Sequence, residues 1–322
     1  MIQVVAVDLG GTNVRFAIAD VAGGKVTSIA PEVTLHTADY ASFALAWGAF
    51  EEKAGSKLPR AVVIAIAAPI EGDAIKLTNN PWVIRPSALK QELDVDDFLL
   101  INDFGAVAYA VAAVEPHDLH HLCGPDEPLP ATGVISVVGP GTGLGVALIL
   151  RDASGLHVIE TEGGHGDFAP LDVIEDAILA LARQRYRRVS NERIVSGPGL
   201  SEIYQALAQR DGRAVVPGDD KTLWTAALEG SDPHAAAALD RFCLSLGAVA
   251  GDLALEHGAH GVVIAGGLGL RLKDRLALSG FAERFTAKGR FERRMASIPV
   301  KLITYPQPGL LGAAAAYAKR VG

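Results

Sequence analysis

Acidic, amide and histidine side chains stand beside glycine clusters at several points of this sequence. The first cluster is Asp8-Leu9-Gly10-Gly11-Thr12-Asn13, which follows a short apolar run. Glycines in a tight turn allow backbone N–H groups to approach an anion closely, and Thr12 and Asn13 add side-chain donors. Asp8 is a hard oxygen ligand suited to Mg²⁺, directly or through water. The pattern indicates phosphate binding, with a plain hairpin turn as the alternative.

A second glycine cluster, residues 139–145, has four glycines in seven residues and also lies between apolar runs. It has neither the form of a Walker A loop nor the GxGxxG form of a dinucleotide fold. A shift of 130 positions places Gly11-Thr12 on Gly141-Thr142, which indicates an internal duplication of one strand–turn–strand unit, although so short a match can also arise by chance. Two such hairpins predict two loops that close on one polyphosphate, with Gly141, Thr142 and Gly143 in the second loop.

Two further motifs carry acidic groups. Asn102-Asp103 follows a strand predicted at 98–101, where α/β proteins place functional groups, with a helix N-cap as the alternative. Glu162-Gly163-Gly164-His165 has two glycines between its polar ends, which favours a tight turn that presents both side chains. A metal site at His165-Gly166-Asp167 is not favoured, because no cysteines have zinc-site spacing.

The elements that must position these groups alternate between strands and helices. Residues 2–8, 14–20 and 25–29 predict an antiparallel meander, not a strand–loop–helix unit. Further strands are expected at 61–67, 98–101, 134–138, 146–150 and 261–265. Helices are expected at 41–55, 87–93, 104–114, 171–187, 199–210, 222–229, 233–257 and 309–320. Residues 115–131, which contain four prolines, predict an irregular connection at a lobe boundary.

Composition narrows the class of protein. The 322 residues are 49% hydrophobic and 20% charged, which fits two compact α/β domains. The mean hydropathy is +0.26, but no apolar stretch reaches the ~20 residues that a membrane span needs. The net charge of −8 and the lack of a basic stripe argue against a nucleic-acid partner. Cys123 and Cys243 have no disulfide or zinc spacing, and no targeting segment is visible, so we expect a cytoplasmic protein with no membrane partner.

Six motifs occur in order and together resemble the bacterial ATP-dependent glucokinase family. They are Asp8-Leu9-Gly10-Gly11-Thr12-Asn13, Ile101-Asn102-Asp103-Phe104, Gly139-Pro140-Gly141-Thr142-Gly143-Leu144-Gly145, Glu162-Gly163-Gly164-His165, Glu192-Arg193-Ile194-Val195-Ser196-Gly197-Pro198-Gly199-Leu200 and Ala265-Gly266-Gly267. The first motif is shared with many sugar kinases, whereas the motifs that begin at Glu162 and Glu192 are more specific. The related group of repressors and sugar kinases would show a Cys-rich zinc segment, which this chain lacks. The resemblance covers essentially the whole chain.

The resemblance implies an α/β protein of the two-lobed, actin/hexokinase-like (duplicated, ribonuclease H-like) fold with a central cleft. The small lobe would hold residues 1–110 and the C-terminal helix 309–322, and the large lobe residues 111–308. The implied reaction transfers the γ-phosphate of ATP to the 6-hydroxyl of D-glucose, the first step of glycolysis, with Mg²⁺. The implied assembly is a homodimer.

The resemblance also implies roles for single residues. Asp103 would be the general base, and the sugar would be bound by Asn102, Asp103, Glu162, His165 and Glu192. ATP would contact Asp8, Leu9, Gly10, Gly11, Thr12, Asn13, Gly141, Thr142 and Gly143, with Gly266 and Gly267 against the adenosine. Asp8 would hold Mg²⁺, through water.

Several alternatives stay open at this point. The chain could phosphorylate another hexose, use polyphosphate as donor, or be a sugar-sensing member of the fold without activity. A chaperone or filament ATPase has the same fold but no need for a sugar-binding set. Glu162 could instead cap a turn, and Glu192 could cap a helix near residue 190.

Overall fold

The computed structural model describes residues 1–77, 80–215 and 219–322. Contacts among them divide the chain into two compact units. The first unit comprises Met1–Glu115 and Tyr305–Gly322, and the second unit comprises Pro116–Thr304. The assignment of residues 1–110 with 309–322 to one lobe and of 111–308 to another stays a prediction.

Strands and helices alternate along the described chain. The strands are β1 (Ile2–Leu9), β2 (Asn13–Ala22), β3 (Lys25–Ile29), β4 (Val33–His36), β5 (Ala61–Ile66), β6 (Ile75–Lys76), β7 (Val83–Ile84), β8 (Asp97–Asn102), β9 (Leu119–Cys123), β10 (Gly133–Pro140), β11 (Leu144–Asp152), β12 (Gly155–Thr161), β13 (Gly261–Ile264) and β14 (Val300–Ile303).

The α-helices are α1 (Phe43–Ala54), α2 (Pro86–Glu92), α3 (Asp103–Ala113), α4 (Val173–Ala182), α5 (Asn191–Ile194), α6 (Gly199–Arg210), α7 (Asp220–Glu229), α8 (Pro233–Glu256), α9 (Gly266–Arg271), α10 (Lys273–Leu278), α11 (Phe281–Thr286), α12 (Glu292–Ala296) and α13 (Pro308–Val321). Single turns of 3₁₀ helix occur at Thr37–Asp39, Pro116–Asp118, Gly163–His165 and Gly289–Phe291. Among the described residues, none of the helices has the length and apolar character needed to cross a membrane.

Polar side chains and glycines set the ends of several helices. The Ser42 hydroxyl accepts a backbone hydrogen bond where α1 begins, and Gly55 ends α1 with a left-handed φ of 65°. Asp172, Asp219 and Asp232 accept N–H groups at the starts of α4, α7 and α8. Each such cap stabilises its helix by about 1 kcal/mol, which explains why these helices begin where they do.

The first unit is built on a mixed sheet with the strand order β3-β2-β1-β5-β8, and β4 also pairs with β2. Strand β2 runs antiparallel to its neighbours β1 and β3, whereas β1, β5 and β8 run parallel. The predicted antiparallel meander is therefore confirmed. Every residue of β5 is buried, as expected for a strand in a sheet that is covered on both faces.

Two apolar layers enclose this sheet. On one face, Phe16 of β2 packs against α1, and its ring is stacked on that of Phe50 with centroids 4.8 Å apart. On the other face, small residues of β1, β2 and β5 pack against α13. A Cβ added to Gly312 would lie 1.6 Å from the Ala106 carbonyl oxygen, so α13 and α3 pack backbone to backbone. Small residues on this face are what permit that approach.

The second unit repeats the plan with the strand order β12-β11-β10-β13-β14-β9. Here β10, β11 and β12 form the antiparallel part, and β10, β13 and β14 run parallel. Strands β1, β2, β3, β5 and β8 therefore match β10, β11, β12, β13 and β14 in order and direction. The predicted internal duplication is confirmed, and it extends from one hairpin to five strands of each sheet.

Two predictions of secondary structure are wrong, and in both a tertiary contact replaces the local pattern. Part of the segment 115–131 forms β9, which pairs antiparallel with β14 at the edge of the second sheet. The helix predicted at 171–187 ends at Ala182, and beyond that point the side chains of Arg185 and Tyr186 bond to the Glu202 carboxylate of α6. Strands β4, β6, β7, β12 and β14 and the short helices α9 to α12 were not predicted.

Candidate active site

The parallel strands of the first sheet end in one row. Leu9 lies opposite Ile66, and Ile66 lies opposite Asn102. The first glycine turn continues from Leu9, and Asp103 follows Asn102. Since neighbouring strands lie about 4.8 Å apart, the two groups begin about 10 Å apart on the same edge. The structure thus brings the first glycine turn and the Asn102-Asp103 pair to one edge of the first unit.

Asn102 is the N-cap of α3, and Asp103 is the first residue of that helix. The Asn102 Oδ1 accepts hydrogen bonds from the N–H groups of Phe104 at 2.8 Å and Gly105 at 3.2 Å. The Phe104 N–H also donates to the Asp103 Oδ1 at 2.8 Å. The N-cap alternative is therefore correct for Asn102. The cap fixes the start of α3, and it places Asp103 at the helix end where negative charge is favoured.

The first glycine turn is fixed through its carbonyl groups. The Gly10 N–H donates to the Asn13 carbonyl at 3.0 Å. The Thr37 hydroxyl donates to the Gly11 carbonyl at 2.8 Å, and the Thr37 N–H donates to the Thr12 carbonyl at 3.0 Å. The Asn13 Oδ1 is buried, with no hydrogen-bond partner among the described residues. A buried acceptor of this kind is costly unless water or a ligand supplies a donor.

Asp8 lies at the end of β1 and pairs with Arg15 across the hairpin. The Arg15 Nη1 donates to the Asp8 Oδ2 at 3.0 Å, and 22% of the Asp8 side chain is exposed. Burial raises the pKa of Asp8, while the Arg15 guanidinium opposes that rise. A Cβ added to Gly309, in the first turn of α13, would lie 3.0 Å from the Asp8 carboxylate. A second cation at this carboxylate would favour its ionised form further.

The second glycine turn joins β10 to β11. The Gly141 N–H donates to the Gly143 carbonyl at 2.8 Å, and the Gly141 carbonyl accepts from the Gly197 N–H at 2.7 Å. The Gly197 carbonyl in turn accepts from the Trp224 Nε1 at 2.9 Å. A methyl group added to Gly141 would meet nothing within 4 Å among the described residues. The hydrogen bond to the Gly141 carbonyl therefore holds the turn in place, while the space beside the Gly141 Cα is free of described atoms.

Gly266 begins α9 beside this turn. Its φ is 78°, and an added Cβ would lie 2.6 Å from the Pro140 carbonyl oxygen, so only glycine fits. A Cβ added to Gly267 would meet nothing within 4 Å. Strands β10 and β13 end side by side, with Val138 opposite Ile264. The structure thus brings Gly266-Gly267 and the second glycine turn to one edge of the second sheet.

Three residues predicted to bind sugar lie together in the second unit. The His165 Nε2 lies 3.7 Å from the Glu162 Oε2 and 4.0 Å from the Glu192 Oε1. The side chains of Glu162 and His165 are 68% and 53% exposed, and that of Glu192 is 27% exposed. An imidazole between two carboxylates offers several acceptors and a donor to a polyhydroxyl ligand.

A tight turn presents the first two of these side chains. The His165 N–H donates to the Glu162 carbonyl at 3.0 Å within one turn of 3₁₀ helix. The Glu162 side chain makes no capping hydrogen bond to this turn. A Cβ added to Gly164 would lie 2.0 Å from the Leu144 carbonyl oxygen, so glycine is required where the turn leans on β11. The predicted tight turn is confirmed, and the capping alternative for Glu162 is wrong.

Glu192 lies in the first turn of α5 but bonds to the second hairpin. Its Oε2 accepts a hydrogen bond from the Leu144 N–H at 3.0 Å. The cap position of α5 is Ser190, so Glu192 is not the cap of that helix. The Asn191 N–H donates to the Gly166 carbonyl at 2.8 Å, which aligns α5 with the turn that carries His165. The second hairpin therefore contacts both segments that carry these three side chains.

Sequence reasoning missed the residues that hold the glycine turns. Thr37 and Asn80 bond to the Gly11 carbonyl, and Trp224 bonds to Gly197. These residues are far from the turns in sequence, and no local motif marks them. It also missed a small cavity beside the second turn, which is lined by Thr142, Tyr186, Glu192, Arg193, Ser196, Pro198 and Glu202. The Arg193 guanidinium lies over the Tyr186 ring there, 4.3 Å from its centroid.

Comparison with known proteins decides the family. The model of the glucokinase family matches residues 5–320. A glucokinase of Zymomonas mobilis subsp. mobilis is 62% identical over 318 residues, which cover 99% of this chain and 98% of that protein. The chain belongs to the glucokinase family. The predicted family is therefore confirmed over essentially the full length of the chain.

Solved structures give the fold. A glucokinase from an Antarctic psychrotroph superposes with a TM-score of 0.86 at 32% identity, covering 98% of each chain. A ROK family glucokinase from Streptomyces griseus, solved with glucose and AMPPNP, superposes with a TM-score of 0.65 at 20% identity, covering 99% of this chain and all of that one. The second likeness shows the fold alone. The predicted actin/hexokinase-like α/β fold is confirmed.

Proposed function

We propose that this glucokinase-family chain transfers the γ-phosphoryl group of ATP to the 6-hydroxyl of D-glucose, giving glucose 6-phosphate and ADP. The observation that carries the proposal is the cluster of Glu162, His165 and Glu192 in a chain that matches the glucokinase model from residue 5 to residue 320. The product is the form in which glucose enters glycolysis. An ATPase of the same fold without a sugar substrate would have no use for this cluster.

Asp103 is the general base in this proposal. Phosphoryl transfer needs an aligned hydroxyl oxygen and charge neutralisation at the phosphates, and little covalent chemistry from the protein. A carboxylate within hydrogen-bond reach of the 6-hydroxyl accepts its proton as the oxygen attacks the γ-phosphorus. The Asn102 cap supports this role, because it fixes the helix start from which the Asp103 side chain projects.

The sugar is bound by Asn102, Asp103, Glu162, His165 and Glu192. Ionised carboxylates accept hydrogen bonds from sugar hydroxyls, and such charge-assisted bonds are about twice as strong as neutral ones. His165 can donate to one hydroxyl and accept from another. Glu192 is the least exposed of the second-unit set and is already oriented by the Leu144 N–H, which supports a role in setting specificity.

The nucleotide is bound by the two glycine turns and by Gly266-Gly267. The first turn supplies Asp8 to Asn13, the second supplies Gly141, Thr142 and Gly143, and Gly266-Gly267 lies against the adenosine. The open Cα of Gly141 supports close approach of a phosphate to the backbone. The structure of the Streptomyces griseus relative with AMPPNP supports ATP as the nucleotide.

Mg²⁺ enters this account as part of the MgATP substrate. Among the described residues, no group of three or more His, Cys, Asp and Glu side chains could hold a metal ion. This fits Mg²⁺, which usually keeps several waters and takes one or two carboxylates together with substrate phosphates. Asp8 suits that role as a partly exposed carboxylate at the end of β1. When bound, the ion neutralises charge on the phosphates.

The homodimer expected from the resemblance belongs to the same proposal. Sedimentation velocity over a range of concentrations tests it, because the mass obtained for a dimer should be twice that of the 33.6 kDa chain. A single species at the chain mass at all concentrations would overturn it.

A matrix of phosphoryl donors and sugars tests the proposed reaction. Purified protein is assayed with ATP or polyphosphate as donor and with glucose, mannose, galactose or fructose as acceptor, and the product is identified by NMR. We expect ATP with glucose to be the most active pair and glucose 6-phosphate to be its product. A higher kcat/KM with another hexose would overturn the glucose assignment, and a higher one with polyphosphate would overturn the donor assignment.

A further inference from the structure

The second hairpin contacts Glu192, one of the residues proposed to bind the sugar, through a backbone N–H group that has no role in the proposed phosphate site. The Leu144 N–H donates to the Glu192 Oε2 at 3.0 Å. The residue before it is Gly143, and a Cβ added there would lie 2.4 Å from the same oxygen and 3.2 Å from the Glu192 Cδ. The carboxylate therefore occupies the place where any side chain at position 143 would begin.

Backbone conformation does not explain this glycine. The φ of Gly143 lies outside the left-handed region, so φ alone does not require glycine here. The neighbouring Gly141 also lies outside that region, but an added methyl group there meets nothing within 4 Å. Of the two, only Gly143 lies against the Glu192 carboxylate.

We propose that Gly143 is a positioning residue for the sugar, because its missing side chain lets the Glu192 carboxylate reach the Leu144 N–H and stand beside His165. This inference rests on the proposed role of Glu192 in binding glucose. Gly143 would then help to position the sugar, in addition to making the predicted contact with phosphate. The same short turn would then serve both substrates.

The alanine substitution should act on the carboxylate and spare the fold. The atom displaced by a methyl group at position 143 is the far end of a flexible side chain, not backbone, so the turn itself need not move. Glu192 would lose the Leu144 N–H and would move relative to His165, which lies 4.0 Å from its Oε1. A misplaced acceptor binds the sugar less well, although it remains ionised.

Calorimetric titration of glucose in the absence of nucleotide isolates this effect from any role in phosphate binding. Four proteins are compared with the wild type: Gly143→Ala, Gly141→Ala, Glu192→Ala and the double variant Gly143→Ala with Glu192→Ala. We expect Gly143→Ala to weaken glucose binding about tenfold, on the scale of one hydrogen bond to a charged group. Gly141→Ala should leave glucose affinity within about twofold, and all melting temperatures should stay close to that of the wild type.

The double variant shows whether Gly143 acts through Glu192. If it does, adding Gly143→Ala to Glu192→Ala should cost much less than it does in the wild type, because the carboxylate that the methyl group displaces is then already absent. Multiplying losses, or an unchanged affinity in Gly143→Ala, would overturn the inference while leaving the function intact. An unchanged affinity in Glu192→Ala would instead remove Glu192 from the sugar site, and both the proposed sugar set and this inference would then fail.

Discussion

The two glycine turns occupy matching places in two sheets of the same plan, yet different polar groups surround them. In the first unit the turn follows Asp8, which pairs with Arg15 across the hairpin at 3.0 Å. A shift of 130 positions places Asp8 on Val138 of β10, a fully buried apolar residue. The duplicated sheet therefore supplies a common frame, and each unit has its own set of charged groups at the edge of that frame.

The two units also position their functional groups by different means. In the first unit, Asn102 and Asp103 continue directly from a strand, so the sheet register alone places them. In the second unit, Glu162, His165 and Glu192 lie outside the strands, in a turn and a short helix that lean on β11 and its hairpin. A site of the second kind depends on contacts between segments that are distant in sequence.

Asp103→Asn should have the largest effect and tests the chemical role of the first unit. We expect kcat to fall by about two orders of magnitude or more, because the proton acceptor is lost, while glucose affinity changes by less than about tenfold. Steady-state kinetics and glucose titration measure the two quantities. The exposed Asp73→Asn in the same unit is a matched control and should behave like the wild type. A kcat near that of the wild type would remove Asp103 as the base.

Gly141→Val tests the second turn as a phosphate loop. A Cβ at this position meets no atom within 4 Å among the described residues, and the valine side chain would block backbone approach to a phosphate. We expect the KM for ATP to rise about 10–150-fold, the scale for hydrogen bonds to a charged group, with a much smaller change for glucose. Equal losses for both substrates in a folded variant would show that the turn does not bind phosphate selectively.

Glu162→Gln and Glu192→Gln test the second unit as the sugar site. Each should raise the KM for glucose by about tenfold or more and leave ATP affinity without sugar little changed. Glu192 should show the larger effect, since it is less exposed and is oriented by a backbone N–H. Melting temperatures of the same variants provide the control. A lower melting temperature with an unchanged glucose KM would mean that these carboxylates are structural.

The smallest expected effect is on the pH dependence of stability, to which a partly buried histidine of the second unit should contribute. The His257 Nδ1 lies 2.9 Å from the hydroxyl of Ser136 in β10, and a shift of 130 positions places Ser136 on the apolar Ala6 of β1. Burial lowers the pKa of His257 below its usual value of 6.5. Since the unfolded chain then binds the proton first, the free energy of unfolding should decrease as the pH falls below about 6.5, with no such loss above it.

His257→Gln checks this sign. Thermal unfolding of the wild type and the variant is measured between pH 7.5 and pH 5.5. We expect the melting temperature of the wild type to fall more over this interval than that of the variant. An equal fall in both proteins would show that protonation of His257 does not contribute.

Sequence patterns predicted those parts of the structure that residues close together in the chain determine. The β-branched runs around the two glycine turns gave the hairpins, and the position of Asn102-Asp103 after an apolar strand gave its place at a sheet edge. The patterns did not predict β9, because pairing with β14 and not its own residues makes it a strand. The Glu192 contact with Leu144 was equally out of reach, since 48 residues separate the two partners. Only the resemblance to a family indicated that these segments, which are distant in sequence, contribute to one proposed site.

The most direct test of the central claim is the release of ADP from MgATP by the purified wild-type protein, measured with and without D-glucose. The account predicts rapid release only when glucose is present, with one glucose 6-phosphate formed for each ADP. It also predicts that Asp103→Asn abolishes most of this release under the same conditions. Release of ADP at the same rate without any sugar would contradict the account, because the chain would then be an ATPase and not a glucose kinase.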